Sequence, residues 1–268
     1  MKLTVLIDNN TYIDKYYFGE PALSFYIEDD ESKILFDTGY SGMFIKNAHD
    51  LNIDLDSVTA IAISHGHNDH TGGLFYLAAE NKIAGKNIIA HPNAFDRKYC
   101  DGEEIGSILS LEELKKLCKV TLTKEPVRIS PNITFLGEIP AYNDFETRKA
   151  IGTVSAEDKE QPDYIIEDTA LVYNSGGGLF IITGCSHNGI CSIIEHAKKI
   201  CSEERVIGVI GGFHLFDVSD QLKKTIEYFL RNKISRLYPC HCVSFAAKAE
   251  IHKFIPVEEV GVGLTIEI

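Results

Sequence analysis

The chain of 268 residues contains no run approaching the ~18 consecutive apolar residues that a membrane helix needs. Its first residues, with one lysine and an aspartate at position 8, are too short and too soon interrupted for a secretory signal, and read as a strand. Positive charge is scarce: 26 Lys and Arg against 39 Asp and Glu give a formal net charge of −13. A nucleic-acid backbone needs a basic footprint, so neither nucleic acid nor a membrane is the expected partner. No repeat, low-complexity tract or long linker interrupts the chain, and no phosphate-binding glycine loop is present. The glycines at 176–178 join two strand-like runs and read as a hairpin turn. A disulfide framework is missing as well. Seven cysteines are an odd number in a chain this long, which points to a reducing, cytoplasmic compartment. Cys118, Cys191 and Cys201 fall on apolar helix faces and read as small core residues.

What is there is an ordinary soluble composition, 44% hydrophobic and 24% charged, long enough for one large core. Strand-like runs cover 2–8, 22–28 and 33–37, and a helical period follows at Phe44, Ala48 and Leu51. The run 58–64 fits a strand covered on both faces. Residues 71–82 read as a helix, 87–90 as a buried strand, and Ser110-Leu111-Glu112-Glu113 as a capping box opening a helix. The segment 120–150 suggests short strands and an irregular loop, and 151–163 a polar, exposed excursion. Strands near 165–173, 179–183, 206–210 and 236–240 then alternate with helices near 189–201 and 220–231. Together these predict a single domain, 1–268, of two strand-rich halves (about 1–140 and 165–268), with two sheets face to face and helices outside.

The chemistry concentrates in Ser64-His65-Gly66-His67-Asn68-Asp69-His70-Thr71-Gly72-Gly73, directly after a buried strand. Imidazole nitrogen and carboxylate oxygen are the ligands that zinc and related ions prefer. Residues two apart at a strand end point the same way, so His65 and His67 can share one ion. Asp69 and His70, after the turn, can face a second. Gly66, Gly72 and Gly73 remove bulk where backbone crowds a cluster, and Thr71 is placed to cap the next helix.

The motif His-x-His-x-Asp-His after a strand resembles that of the metallo-β-lactamase superfamily. The resemblance implies an α+β four-layer αβ/βα sandwich with a one- or two-metal site at the top of two sheets. It also implies further ligands. The strand Leu179–Thr183 ends in Gly184-Cys185-Ser186-His187, where most of the superfamily has Gly-Asp. Either Cys185 or His187 could bind metal; His187 is preferred, since cysteine would be an unusual bridge. The late histidine ligand corresponds to His241 in Pro239-Cys240-His241-Cys242, with both cysteines pointing away if the strand continues. The superfamily's middle histidine has no clear counterpart; Glu138 and Glu146 lie in the right region. His214 in Gly211-Gly212-Phe213-His214 could be a ligand, a support for one, a substrate-binding residue or a packed residue, and His91 is a weaker candidate of the same kind. His49, His196 and His252 read as surface residues on helices.

These motifs together are similar to the subfamily named for a dihydropterin–ribofuranosylaminobenzene-phosphate synthase of methanopterin assembly. The expected metal ligands are therefore His65, His67, Asp69, His70, His187 and His241, with Asp69 and His214 as catalytic groups. The expected cofactor is one or two divalent ions, zinc first, with manganese, iron or magnesium as alternatives. The expected reaction is hydrolysis of an ester or phosphoester of a small molecule, anionic or neutral, through a metal-bound hydroxide. The alternative is pterin transfer at the same site. A di-iron redox protein on this fold would carry glutamate where His67 stands, and a flavin domain besides.

Overall fold

The computed structural model describes residues 1–156 and 159–268, with Ala156 as backbone only. The chain opens with β1 (Lys2–Ile7), β2 (Ser24–Asp29), β3 (Ser32–Phe36), α1 (Met43–Asp50) and β4 (Ala60–Ala62). Two short helices follow, α2 (Asn68–Thr71) and α3 (Gly73–Ala79), then β5 (Asn87–Ala90), β6 (Arg97–Cys100), β7 (Glu103–Glu104) and α4 (Leu111–Leu117). Six strands come next: β8 (Lys119–Leu122), β9 (Val127–Arg128), β10 (Ile133–Phe135), β11 (Thr153–Ala156), β12 (Lys159–Pro162) and β13 (Ala170–Asn174). The chain closes with β14 (Leu179–Thr183), α5 (Ile190–Cys201), β15 (Val206–Gly211), α6 (Asp220–Arg231), β16 (Leu237–Pro239), α7 (Phe245–His252) and β17 (Thr265–Glu267).

The first sheet has the order β17-β1-β2-β3-β4-β5-β8 and the second β16-β15-β14-β13-β10-β9. Alternation along each strand divides the core into three. Phe25, Ile27, Ile34 and Phe36 of the first sheet meet Phe135, Phe180 and Ile182 of the second between the sheets. The opposite side chains of the first sheet, such as Leu35, Ile61 and Ile88, pack under Phe44, Leu74 and Leu114 of its helices. Val172, Ile181 and Val209 of the second sheet pack under Ile193, Phe229 and Ile251. The result is the expected four-layer sandwich of helices, two sheets and helices. Strands β9 and β10 join the second sheet and β17 returns to the first, so the sheets divide the chain between β8 and β9.

The parallel strands set the site. β3, β4, β5 and β8 run parallel in one sheet, and β14, β15 and β16 in the other. Their carboxyl ends gather at one edge of the sandwich, where open sheets of this type bind ligands. The capping box at Ser110 and Glu113 forms as expected.

Several local expectations are corrected. The stretch 151–163 is exposed along β12 as expected, but it is part of a sheet: β11 and β12 pair antiparallel and join β7 through β6 in a four-stranded sheet. Its fastening is Lys98, 1% exposed, whose Nζ lies 2.7 Å from Asp163 and 2.8 Å from Glu167. Burial alone would discharge this lysine, but the two carboxylates outweigh it and raise its pKa. Polar composition hid the sheet, since its anchor is an ion pair. The strand near 165 starts only at Ala170, because Asp163, Glu167 and Asp168 turn inward as acceptors. Thr71 caps nothing; it closes α2 and donates back to the His67 carbonyl. His196 is buried, facing Tyr142 and the Leu136 carbonyl, and is not a surface residue.

Lys98→Met leaves two carboxylates buried without a cation. Chemical denaturation should show a loss of about 3–5 kcal/mol, whereas Ser110→Ala, which removes only a cap, should cost about 1 kcal/mol.

Candidate metal centre

The turn after β4 is pinned from behind by Asp37, a fully buried carboxylate at the end of β3. Its Oδ1 accepts from the Ser64 amide at 2.7 Å, and its Oδ2 accepts from Ser64 Oγ and His70 Nδ1, each at 2.7 Å. The Ser64 hydroxyl, having donated to Asp37, accepts from His65 Nδ1 at 2.9 Å. His241 Nδ1 in turn faces Asn9 Oδ1 at 3.1 Å. In all three histidines the Nδ1 proton is engaged by oxygen, so the Nε2 lone pair is left free. Partners of this kind fix the tautomer of metal-binding imidazoles.

Those free nitrogens converge. His65 Nε2 lies 3.1 Å from His67 Nδ1 and 3.3 Å from His187 Nε2. His70 Nε2 lies 3.2 Å from His241 Nε2, and Asp69 Oδ2 sits 3.5 and 3.3 Å from the same two atoms. Cys185 Sγ is 3.3 Å from His70 Nε2. It belongs to two possible ligand groups, one with His65 and His187, the other with His70 and His241. Ligands about 2.0–2.1 Å from one tetrahedral ion stand roughly 3.3 Å apart. The spacing observed is that of a coordination edge, so the donor set fits divalent ions.

Electrostatics agree with this. Burial drives His65 and His187 well below the usual histidine value and takes His67 to about 4, so these imidazoles are neutral at pH 7. His70 is the exception: burial opposes its charge, but Asp69 and Asp37 outweigh it and raise its pKa to about 9, so without an ion its Nε2 holds a proton at pH 7 that a bound ion would displace. Asp69 is held below the ordinary carboxylate range by His70 and His241 despite its burial. Burial pushes the Cys185 thiol up.

All six residues expected as ligands meet here, and His187 lies beside His65 and His67. Glu138 and Glu146 do not take part. Glu138 pairs with His91 and Lys124, which also removes His91 from the cluster. Glu146 instead accepts from the Cys191 and Ser192 amides at the start of α5. His214 lies at the rim, its ring 4.4 Å from that of His187 and its buried Nδ1 without a partner among the described residues. Its φ of 49° is unusual for a non-glycine residue. Strand β16 ends at Pro239 and His241 has a φ of 52°, so Cys242 turns into the cavity beside Cys185 and does not point away. The glycine at 66 is required: a Cβ there would lie 2.3 Å from the Ala94 carbonyl oxygen. Sequence reasoning overlooked Asp37 and Asn9 as supports. A lone aspartate ending a buried strand was the available signal for the first; nothing local marked the second.

The sequence pattern of the metallo-beta-lactamase superfamily matches residues 17–198. The chain belongs to that superfamily. Among metallo-beta-lactamase relatives, an uncharacterized protein of Methanocaldococcus jannaschii is 32% identical over 251 residues, 93% of each chain. The 7,8-dihydropterin-6-methyl-4-(beta-D-ribofuranosyl)-aminobenzene-5'-phosphate synthase of the same organism is 33% identical, over 92% of this chain and 89% of its own. The crystal structure of Tm1679, a metal-dependent hydrolase of the beta-lactamase superfamily, superposes with a TM-score of 0.85 at 30% identity, covering 100% of this chain and 99% of that one. This chain of the metallo-beta-lactamase superfamily is thus an enzyme, a metal-dependent hydrolase or a related transferase. No described helix is long and apolar enough to cross a membrane.

Asp37→Ala removes the acceptor that orients His70. Equilibrium titration should show metal affinity lowered about 10–100-fold, with the fold retained by circular dichroism.

Proposed function

We propose that this enzyme hydrolyses an ester or phosphoester bond of a small molecule at a centre holding one or two divalent ions. The observation that carries this reading is that two donor groups share one cysteine, His65 and His187 with Cys185 and His70 and His241 with Cys185, while Asp69 also groups with His65 and His67. His65, His67 and His187 would hold one ion, and Asp69, His70 and His241 the other, with Cys185 between them. When bound, such ions supply Lewis acidity and a water nucleophile usable at neutral pH. Nitrogen, oxygen and sulfur donors together favour zinc, then iron or manganese, over magnesium.

The side chains supply the rest. Asp69, ionised and aimed at the same cluster, orients the attacking water and takes hydrogen bonds at Oδ2. His214 reaches the cavity from the opposite rim, and a proton on its ring would be donated to oxygen charge that develops as the bond breaks. Two thiols in the centre, Cys185 and Cys242, support a reducing, cytoplasmic location. The net charge of −13 and a cavity of about 540 Å³ support a small-molecule substrate over nucleic acid.

The relative named as a synthase favours a second reading, in which the same side chains serve displacement of diphosphate from a pterin by an aromatic nucleophile.

Metal analysis separates these ideas from a non-metal protein. Purified enzyme should carry at least one tightly bound divalent ion, reduced in His65→Ala and in His241→Ala; full metal content in both variants contradicts the assignment. Turnover of bis(4-nitrophenyl) phosphate without added acceptor would mark a hydrolase. Diphosphate release only when pterin diphosphate and ribofuranosylaminobenzene phosphate are both present would mark the transferase.

A further inference from the structure

The cavity over the donor cluster is asymmetric in chemistry. Its floor is polar, made of the ligand side chains, while its walls are apolar apart from Asn9 and Asn68. Cys100, Ile105 and Ile151 come from the four-stranded sheet and its flanks, Pro21 and Tyr40 from the loops around β2 and β3, and Phe216 from the loop after β15. Tyr40 and Phe216 are each 50% exposed, so their rings are open to a ligand. Among the described residues that line the cavity there is no lysine and no arginine. The cation that packs nearest the His65-Gly66-His67 turn, Lys98, is buried behind it and consumed by Asp163 and Glu167.

An anionic group at the cluster would be met by the ions held there. A second anionic group on the same molecule would lie against Ile105, Ile151 or Phe216 with no cation to pair it. Removing an unpaired charge from water without a partner is strongly unfavourable, and the protein's net charge of −13 adds to the opposition. Flat rings, by contrast, gain by packing on Tyr40 and Phe216.

We propose, resting on the hydrolase reading above, that the substrate is a phosphoester with a single anionic centre, seated at the donor cluster, whose remaining body is an uncharged, flat ring. Compounds with a second anionic group beyond the reacting ester are disfavoured by the walls. Ile105 and Ile151 are the specificity-determining positions, since a cation at either would reverse that preference.

The test compares two diesters with the same leaving group, 4-nitrophenyl phenyl phosphate and 4-nitrophenyl 4-carboxyphenyl phosphate, on the metal-loaded enzyme. The carboxylate should raise KM about tenfold or more, with kcat little changed. Ile151→Lys, at a half-buried rim position, should recover most of that loss for the carboxylated diester and weaken the phenyl one; Ile105→Lys serves as the second variant. Equal KM values in the unmodified enzyme, or no gain in either lysine variant, would overturn the inference. If neither diester turns over, phosphodiester hydrolysis is excluded separately. Calorimetric binding of phenylphosphonate against 4-carboxyphenylphosphonate then decides the pocket's preference by the same criterion.

Discussion

Buried carboxylates behind the cluster, each gripping the backbone of a ligand-bearing turn, are the constraint on which the centre depends. Asp37 accepts from the Ser64 amide and Asp8 from the His241 amide at 2.9 Å. Asp168 accepts from the Asn188 amide at 3.0 Å, and Glu167 faces the Gly66 amide at 3.4 Å. Every loop that brings a donor to the cavity is thereby tied to an acidic group that water does not reach. Glu167 has Lys98 within ion-pair distance, and Asp8 feels Lys248 and His241. Burial nevertheless raises the pKa of Asp8 and takes Asp168 to about 7. Divalent ions in front of these carboxylates would add positive charge, which would couple metal binding to the stability of the loops.

The same arrangement explains how the chain departs from the commoner superfamily pattern. The superfamily's middle histidine has no counterpart in the cluster: the segment before β13 presents Glu167 and Asp168, which hold the neighbouring turns from behind. His187, two residues past Cys185, brings its Nε2 to 3.3 Å from that of His65.

Much of this was legible in the sequence because it is local. The buried runs at β4 and β14, the helices α5 and α6, and the histidine motif each follow from periodicity or residue type within a short window. What escaped was set by partners far along the chain. Asp8 and Asn9 are 233 and 232 residues from His241. The four-stranded sheet depends on Lys98 reaching Asp163, 65 residues away, through an ion pair that composition reads as surface. Cys242 was misplaced because a left-handed residue at His241 breaks the alternation that a continuing strand would impose. His187 was identified, but its place beside His65 and His67 became visible only when β4 and β14 were brought into facing sheets.

X-ray absorption at the zinc edge of the zinc-loaded enzyme, beside His187→Ala and Cys185→Ser, addresses the two-triad centre most directly. The account predicts imidazole shells at about 2.0–2.1 Å with a sulfur contribution near about 2.3 Å. Cys185→Ser should lose the sulfur, and His187→Ala part of the imidazole amplitude. A shell without sulfur in the unmodified enzyme, or one that His187→Ala leaves unchanged, would contradict it.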